Sequence, residues 1–326
     1  MATPFPFAQY FGEINILAAL QFAPGEKEFA DRPPVDPPPK DLLLYLGCNV
    51  LRTAHLAKTA IAVLRAMNFD FNAVGGPAYC CGIIHEMAGE KRAGAAVTGN
   101  SLRHVAQYRP ATMIMWCPSC NQHFDDVVTA QHEVDVPYEH MTSFVARHLD
   151  RVRFVRRVDR RVALHAHTGH PRQDRDAAAV REILKSIPGL EFVDMPGADV
   201  QGRHCSPGVT ARSAAWPAQV ASIMEAAASA QPDVLATIYH SCQRELCQEE
   251  ARQPFAIVNY ISLLGEAMGI EHPDVYKKYK TLGDPEAVFE AVRDYVEANH
   301  LDPVRVRAVL DAAFTPACAT GPANPS

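Results

Sequence analysis

Short apolar runs alternate along the chain with longer stretches of helical periodicity. Leu42–Leu46 is a continuous apolar run of the kind buried on both faces of a sheet. From about Val50 to Met67, the residues Leu56, Ala60, Val63, Leu64 and Met67 fall at helical spacing. Phe69–Val74 predicts the next strand, a helix runs from about Ile83 to Tyr108, and Ala111–Trp116 and Val136–Glu139 predict two more strands. Strands separated by helices argue for an α/β fold with a largely parallel sheet.

The order then repeats. Val162–His167 matches Leu42–Leu46, the pair His204-Cys205 falls where Cys80-Cys81 does, and Asp233–Tyr239 matches the strand before Cys117. Ser241-Cys242-Gln243 echoes Ser119-Cys120-Asn121, at an offset that stays near about 120 residues. The pattern predicts two related α/β lobes, residues 41–150 and 151–270, joined through the arginine-rich stretch Arg151–Arg161, with a helical segment over 271–314. Residues 1–40 read as a proline-rich arm, since Asp31–Lys40 suits neither a helix interior nor a central strand. Residues 315–326, with Pro316, Pro322 and Pro325, read as a disordered tail, and Cys318 within it as a free thiol.

Composition narrows the function classes. With 326 residues, 48% of them apolar, a sizeable core is available. A net charge of −6 gives no reason to expect nucleic acid as a partner. No apolar run approaches the roughly 20 residues that span a bilayer. The stretch Met1 to Gly25 lacks the basic n-region and apolar h-region of a signal peptide. A cytoplasmic protein without a membrane span is the expectation.

Nine cysteines change the picture. In a reducing compartment, clustered cysteines point to metal ligands or redox groups. Five of them, Cys48, Cys80, Cys81, Cys117 and Cys120, form the pattern C-x31-CC-x35-C-x2-C. Each group follows a predicted strand or opens a helix, and in doubly wound sheets such turns gather at the carboxyl edge, where ligands bind. Nearby helix N-termini favour the thiolate, the form that binds metal. Cys117-Pro-Ser-Cys120 alone would suit a zinc knuckle, and on spacing alone zinc stays open. Zinc prefers four ligands, however, while five cysteines with two adjacent fit a polynuclear iron centre with a bridging thiolate.

The sequence Cys48…Cys80-Cys81-Gly82…Cys117-Pro118-Ser119-Cys120 resembles the cysteine-rich "CCG" domain found in the B-type subunit of heterodisulfide reductase. Related domains occur in succinate:quinone reductase E-type subunits, in lactate and glycolate oxidation proteins, and in sulfite-reductase-associated membrane complexes. The resemblance covers roughly residues 41–270, and Ile257–Gly269 is similar to the helix that closes those B-type proteins. It implies tandem CCG domains and a noncubane [4Fe-4S] cluster on the five cysteines, a centre at which disulfides are cleaved.

The second lobe departs from that pattern. Thr168, flanked by His165, His167 and His170, stands at the first cysteine position, and the final motif reads Tyr239-His-Ser-Cys242. Two of the five positions keep cysteine. Cys205, Cys242, His204 and His240, with Cys247 or His167 as further candidates, are the expected ligands of zinc or a smaller iron–sulfur centre; the alternative is a degenerated site packed as core. Such depletion is similar to subunits of the heterodisulfide-reductase-like complexes of sulfur-oxidising bacteria. That likeness implies oxidative thiol/disulfide or bound-sulfur chemistry, active only within a complex. It implies a flavin/iron–sulfur subunit and a ferredoxin-like subunit as partners, and a sulfur-carrying protein or small thiol/disulfide as substrate. No ferredoxin-like cysteine run or Rossmann glycine motif is present, so flavin and further clusters belong on other chains. A non-catalytic electron-transfer or scaffold subunit and a zinc-stabilised interaction module are the competing readings.

Among the remaining residues, His85 and His123 are candidates for tuning the cluster through hydrogen bonds, against the plainer expectation of helix-surface histidines. Arg151, Arg153, Arg156, Arg157, Arg160 and Arg161 form either a docking surface for an acidic partner or a solvated face. Gly75-Gly76-Pro77 lacks the Lys-Ser/Thr of a phosphate loop and reads as the turn that presents Cys80 and Cys81.

Overall fold

The computed structural model describes residues 5–31, 33–195, 200–201, 205 and 216–314. The apolar runs become strands of two parallel sheets. The first sheet contains β1 (Leu42–Tyr45), β2 (Phe71–Val74), β3 (Thr112–Met115) and β4 (Tyr138–His140), in the order β2-β1-β3-β4. Its register sets Leu42 beside both Phe71 and Thr112. The second contains β5 (Arg161–His165), β7 (Glu191–Val193), β9 (Val234–Thr237) and β10 (Ala256–Asn259), in the order β10-β9-β5-β7. A short pair, β6 (His167–Thr168) with β8 (Val200–Gln201), lies beside it. Counted within each lobe, both sheets run second, first, third, fourth when the first is read from β2 and the second from β7. In sheets of this order the first and third strands flank the switch point, where connections leave in opposite directions and a ligand crevice opens at the carboxyl edge.

Helices fill the connections. In the first lobe they are α1 (Phe7–Ala19), α2 (Ala54–Ala66), α3 (Ile83–Met87), α4 (Lys91–Gln107) and α5 (Pro118–His123). A π-helical turn, Phe124–Val128, leads to α6 (Thr129–Gln131), and α7 (Met141–Arg147) follows β4. The second lobe adds α8 (Pro171–Ser186), α9 (Trp216–Ala230), α10 (His240–Leu246) and α11 (Tyr260–Ala267). Four helices close the described chain: α12 (Val275–Leu282), α13 (Pro285–Ala291), α14 (Arg293–Ala298) and α15 (Pro303–Phe314).

One core runs through both lobes. Leu44 and Ile114 of the first sheet belong to the same buried cluster as Val162, Leu235 and Ile257 of the second. Between them α2 and α11 pack closely. A Cβ on Gly265 would lie 2.9 Å from Thr59 Cγ2, so the glycine sets their approach. Tyr45, Val74, Met113 and Met115 form a second cluster around the first-lobe cysteines.

Two expectations change. Residues 1–40 are not wholly an arm, because Phe7–Ala19 forms α1. Its Leu17, with Leu20 just beyond, is buried among Tyr276, Tyr279, Val288 and Leu310. Those partners lie far along the chain, which is why the local pattern gave no sign of them. The helix expected over 83–108 is interrupted at Gly89, whose φ of +84° only glycine adopts freely. Of the two readings of the arginine stretch, the solvated face agrees with the structure, since Arg151, Arg153, Arg156 and Arg157 are exposed, and several of its charges are paired within the chain. Arg157 pairs with Asp159, Arg160 with Glu266 and Arg161 with Glu191 at 2.7–2.9 Å, Arg156 contacts Glu271, and Arg151 lies 4.4 Å over the Phe69 ring. His204, Cys318 and the tail lie outside the described residues. Among the described residues, no helix is long and apolar enough to cross a membrane.

Candidate metal centre

The carboxyl ends of β1, β2 and β3 carry the five first-lobe cysteines. Cys48 follows β1 and opens a 3-10 turn, Asn49–Arg52. Cys80 and Cys81 follow β2 through Gly75-Gly76 and the turn Pro77–Tyr79, and Cys117 caps α5, which contains Cys120. All five are buried. Their sulfurs form one continuous run of hydrogen-bond contacts, Cys48 to Cys80, Cys80 to Cys81, Cys81 to Cys120 and Cys120 to Cys117.

The backbone is shaped to permit this. A Cβ on Gly47 would lie 3.0 Å from Cys120 Sγ, and Gly47 has a φ of +75°, so glycine lets the strand end pass against the thiols. Gly82, at φ +85°, would place a Cβ 2.5 Å from Thr98 Oγ1 and 2.6 Å from the Gly94 carbonyl. From α4, Ser101 Oγ donates to the Cys80 carbonyl at 2.6 Å and Thr98 Oγ1 to that of Cys81 at 2.8 Å. The adjacent pair is therefore held by α4 rather than by its own loop.

The thiols differ in acidity. Cys80 lies well below the usual thiol range, chiefly because it accepts hydrogen bonds from Cys48 and then Cys81; the Gly82 N–H adds a contact at 3.5 Å. Cys48 is pushed up by the same contact with Cys80 and by burial. Cys117 is lowered first by Cys120 and, against the cost of burial, by the N–H groups of Cys120 and Ser119. Tyr45 borders the group from below. Burial and then the Cys120, Cys81, Cys80 and Cys48 sulfurs push its phenol well up.

Helix α1 covers the site. Phe7 stacks on His85 at 4.1 Å with the rings 5° from parallel, and Phe11 lies 5.9 Å from the same ring. Tyr10 is raised by burial and then by Cys48, and its hydroxyl accepts from Asn49 Nδ2 at 3.0 Å. Asn49 Oδ1 in turn accepts from Arg244 of α10 at 2.9 Å, which ties the cysteine loop to the second lobe. His85 and His123 are both buried, not surface histidines, and His85 is among the neighbours that lower Cys80. A second link starts one residue before Cys117. The Trp116 carbonyl accepts from His140 Nε2 at 3.0 Å, and His140 Nδ1 lies 3.3 Å from Asp176 of α8. Asp176 also accepts from Thr142 at 2.6 Å and from Tyr239 at 2.8 Å. Sequence reasoning missed Tyr10, Ser101, Thr98, Asp176 and Arg244, because each reaches the site from another element, and Asn49, whose partners Tyr10 and Arg244 are themselves distant.

The second lobe brings Cys205 and Cys242 together with His165 and His167, whose ligand atoms all lie within 4.8 Å of one another. The expected set named His240 and, as a further candidate, His167; His167 is in the cluster, His165 stands in place of His240, and His204 lies outside the described residues. His165 and His167 are two residues apart in extended chain and so face the same way. His240 and Cys242 are two apart on a helix, where they do not. Cys247 is buried elsewhere, its Sγ 3.6 Å from the Arg244 carbonyl among the α1 and C-terminal helix residues.

The donor set of the first lobe fits a polynuclear iron centre. Five contiguous thiols exceed the four that tetrahedral zinc takes, and the glycine at 47 leaves the backbone room beside them. The model of the cysteine-rich domain family CCG matches residues 42–125, a segment that contains all five cysteines. Residues 42–125 are thus similar to a cysteine-rich domain, and their thiols are suited to holding a metal or an iron–sulfur centre. No curated protein matches the chain. Among solved structures, the crystal structure of the Caulobacter myo-inositol binding protein bound to myo-inositol aligns with 86% of this chain and 89% of its own at 10% identity. Its TM-score of 0.24 is too low to carry an argument.

Proposed function

We propose that the first lobe holds a noncubane [4Fe-4S] cluster on Cys48, Cys80, Cys81, Cys117 and Cys120, and that the chain is the iron–sulfur subunit of an oxidoreductase acting on thiol/disulfide or protein-bound sulfur. The observation that carries this reading is the unbroken run of five buried sulfurs at the carboxyl edge of the first sheet. Bound there, such a cluster supplies one-electron transfer at thiolate-held iron. The chain's own residues contribute burial, the Ser101 and Thr98 hydrogen bonds that fix the cysteine pair, and the α1 cover that keeps water away. The resemblance to the B-type heterodisulfide reductase proteins and the shared strand order of the two sheets support a tandem arrangement within a heterodisulfide-reductase-like assembly. Its partners would be flavin/iron–sulfur and ferredoxin-like subunits.

One observation favours the narrower role of electron carrier: all five cysteines are buried, with α1 packed over His85 beside them. A substrate sulfur would need α1 to move.

The deciding experiment is purification without oxygen followed by iron and acid-labile sulfide analysis and EPR after oxidation. About four irons and four sulfides per chain are expected, lost in Cys81→Ala and Cys117→Ala. Zinc without iron or sulfide would sink the redox assignment and leave an interaction module.

A further inference from the structure

The second lobe carries a set of buried donors that the redox reading leaves unused. His165 and His167 close β5 and form β6, Cys205 follows β8, and Cys242 sits on the first turn of α10. His165 and Cys242 are wholly buried, and His167 and Cys205 are 1% exposed. His165 Nε2 lies 3.3 Å from Cys205 Sγ, and His167 Nε2 lies 3.2 Å from Cys242 Sγ and 3.5 Å from Cys205 Sγ. Cys242 also contacts Cys205 and His165. Five of the six pairings among four donors are therefore direct contacts, and the sixth, between the two imidazoles, lies within the common 4.8 Å limit.

Four atoms so placed are the corners of a small tetrahedron. Bonds of about 2.3 Å to sulfur and about 2.0 Å to nitrogen put neighbouring ligands about 3.3–3.8 Å apart around one tetrahedral zinc ion. The observed 3.2–3.5 Å spacings have that scale. A two-iron diamond would hold both sulfurs on one iron and both nitrogens on the other, so the N–S contacts would open by the metal–metal separation. The 3.2–3.5 Å contacts match the one-ion arrangement more closely.

We propose that His165, His167, Cys205 and Cys242 hold a single zinc ion as a structural site of the second lobe. The donor set of two thiolates and two neutral imidazoles is one that selects zinc, and all four positions come from protein, with none open to substrate. Charge agrees with this. One divalent ion and two thiolates sum to zero, and the charged groups acting on Cys205, Arg244 and Glu245, are paired with each other at 2.7 Å. A buried ion here needs no further partner. The ion would tie Cys205, between β8 and α9, to the carboxyl ends of β5 and β9. Where the first lobe spends its equivalent edge on redox chemistry, the second would use it to fasten a long connection. This inference does not rest on the first-lobe cluster.

The test is zinc and iron analysis of anaerobically purified protein, with X-ray absorption at the zinc edge. About one zinc per chain is expected, with two sulfurs at about 2.3 Å and two nitrogens at about 2.0 Å. The variant His165→Ala/His167→Ala should lose the zinc and keep its iron, while Cys80→Ala/Cys81→Ala should lose iron and keep the zinc. If the double histidine variant fails to fold, the wild-type spectrum and His167→Cys decide, the latter keeping zinc in a shell of three sulfurs and one nitrogen. Zinc-free wild-type protein, including one with a Cys205–Cys242 disulfide, overturns the proposal. So does an all-sulfur zinc shell, or zinc lost with Cys80 and Cys81.

Discussion

At the scale of single residues, the cysteine loops depend on side chains that are absent as much as on those present. Gly82 and Gly89 both sit at positive φ, but only Gly82 is crowded. Gly89→Ala should cost about 1–2 kcal/mol, the penalty of the left-handed conformation alone. Gly82→Ala adds an overlap with Thr98 and Gly94, so it should cost more and also lose bound iron; denaturant melts and metal analysis compare the two. Asp176 offers a pH-dependent test. Burial disfavours the charged form of His140, yet the Asp176 carboxylate outweighs it and raises the histidine above its ordinary 6.5. Burial likewise opposes the Asp176 charge, and His140 outweighs it to hold the carboxyl below 3.8. The histidine's contribution to stability is then complete below about pH 6.5 and fades as pH rises through its raised value; the carboxylate's fades only in strong acid. Asp176→Asn should cost about 3–5 kcal/mol near pH 6. Its urea-melt stability should also lack the wild-type decline at higher pH, and an unchanged decline would mean that His140 does not titrate there.

At the scale of elements, α1 is the part whose role the sequence concealed. Its aromatic face, Phe7, Tyr10 and Phe11, meets His85 and the Cys48 loop, while Leu17 faces the C-terminal helices. Strands β1, β3, β5 and β9 were legible because each is a short run of apolar residues buried on both sides. The five cysteines were legible because three loops of one sheet edge leave a fixed spacing. His165 was not selected, since a histidine at a strand end has no local mark separating ligand from core; only the fold brings Cys205 and Cys242 to it. For α1 itself, Phe7→Ala/Phe11→Ala should leave iron content nearly intact while visible absorbance bleaches several-fold faster in air. Bleaching at the wild-type rate would show that another element keeps oxygen out.

At the scale of the whole molecule, the lobes are not separable bodies. They share one core, and polar links cross between them at Asn49 and Arg244 and at His140 and Asp176, while His55 of the first lobe reaches Asp274 at the start of the C-terminal segment at 3.3 Å. The C-terminal helices belong to this unit, because they bury Leu17, Leu20 and Cys247. Deleting residues 271–314 should therefore undock α1, and the truncated protein should bleach at least as fast as the Phe7/Phe11 variant. Slow bleaching would place the cover's anchorage within the first lobe instead.

The sandwiching of α1 between the cysteine loops and α12–α15 also sets a timetable for biosynthesis. Helix α1 leaves the ribosome before either sheet, yet Leu17 and the adjacent Leu20 gain their partners on α12, α13 and α15 only after both lobes have been translated. Until then the cover over the Cys48 loop lacks that second anchorage. A metal or cluster destined for the five thiols would therefore meet its least hindered path before the C-terminal helices have docked.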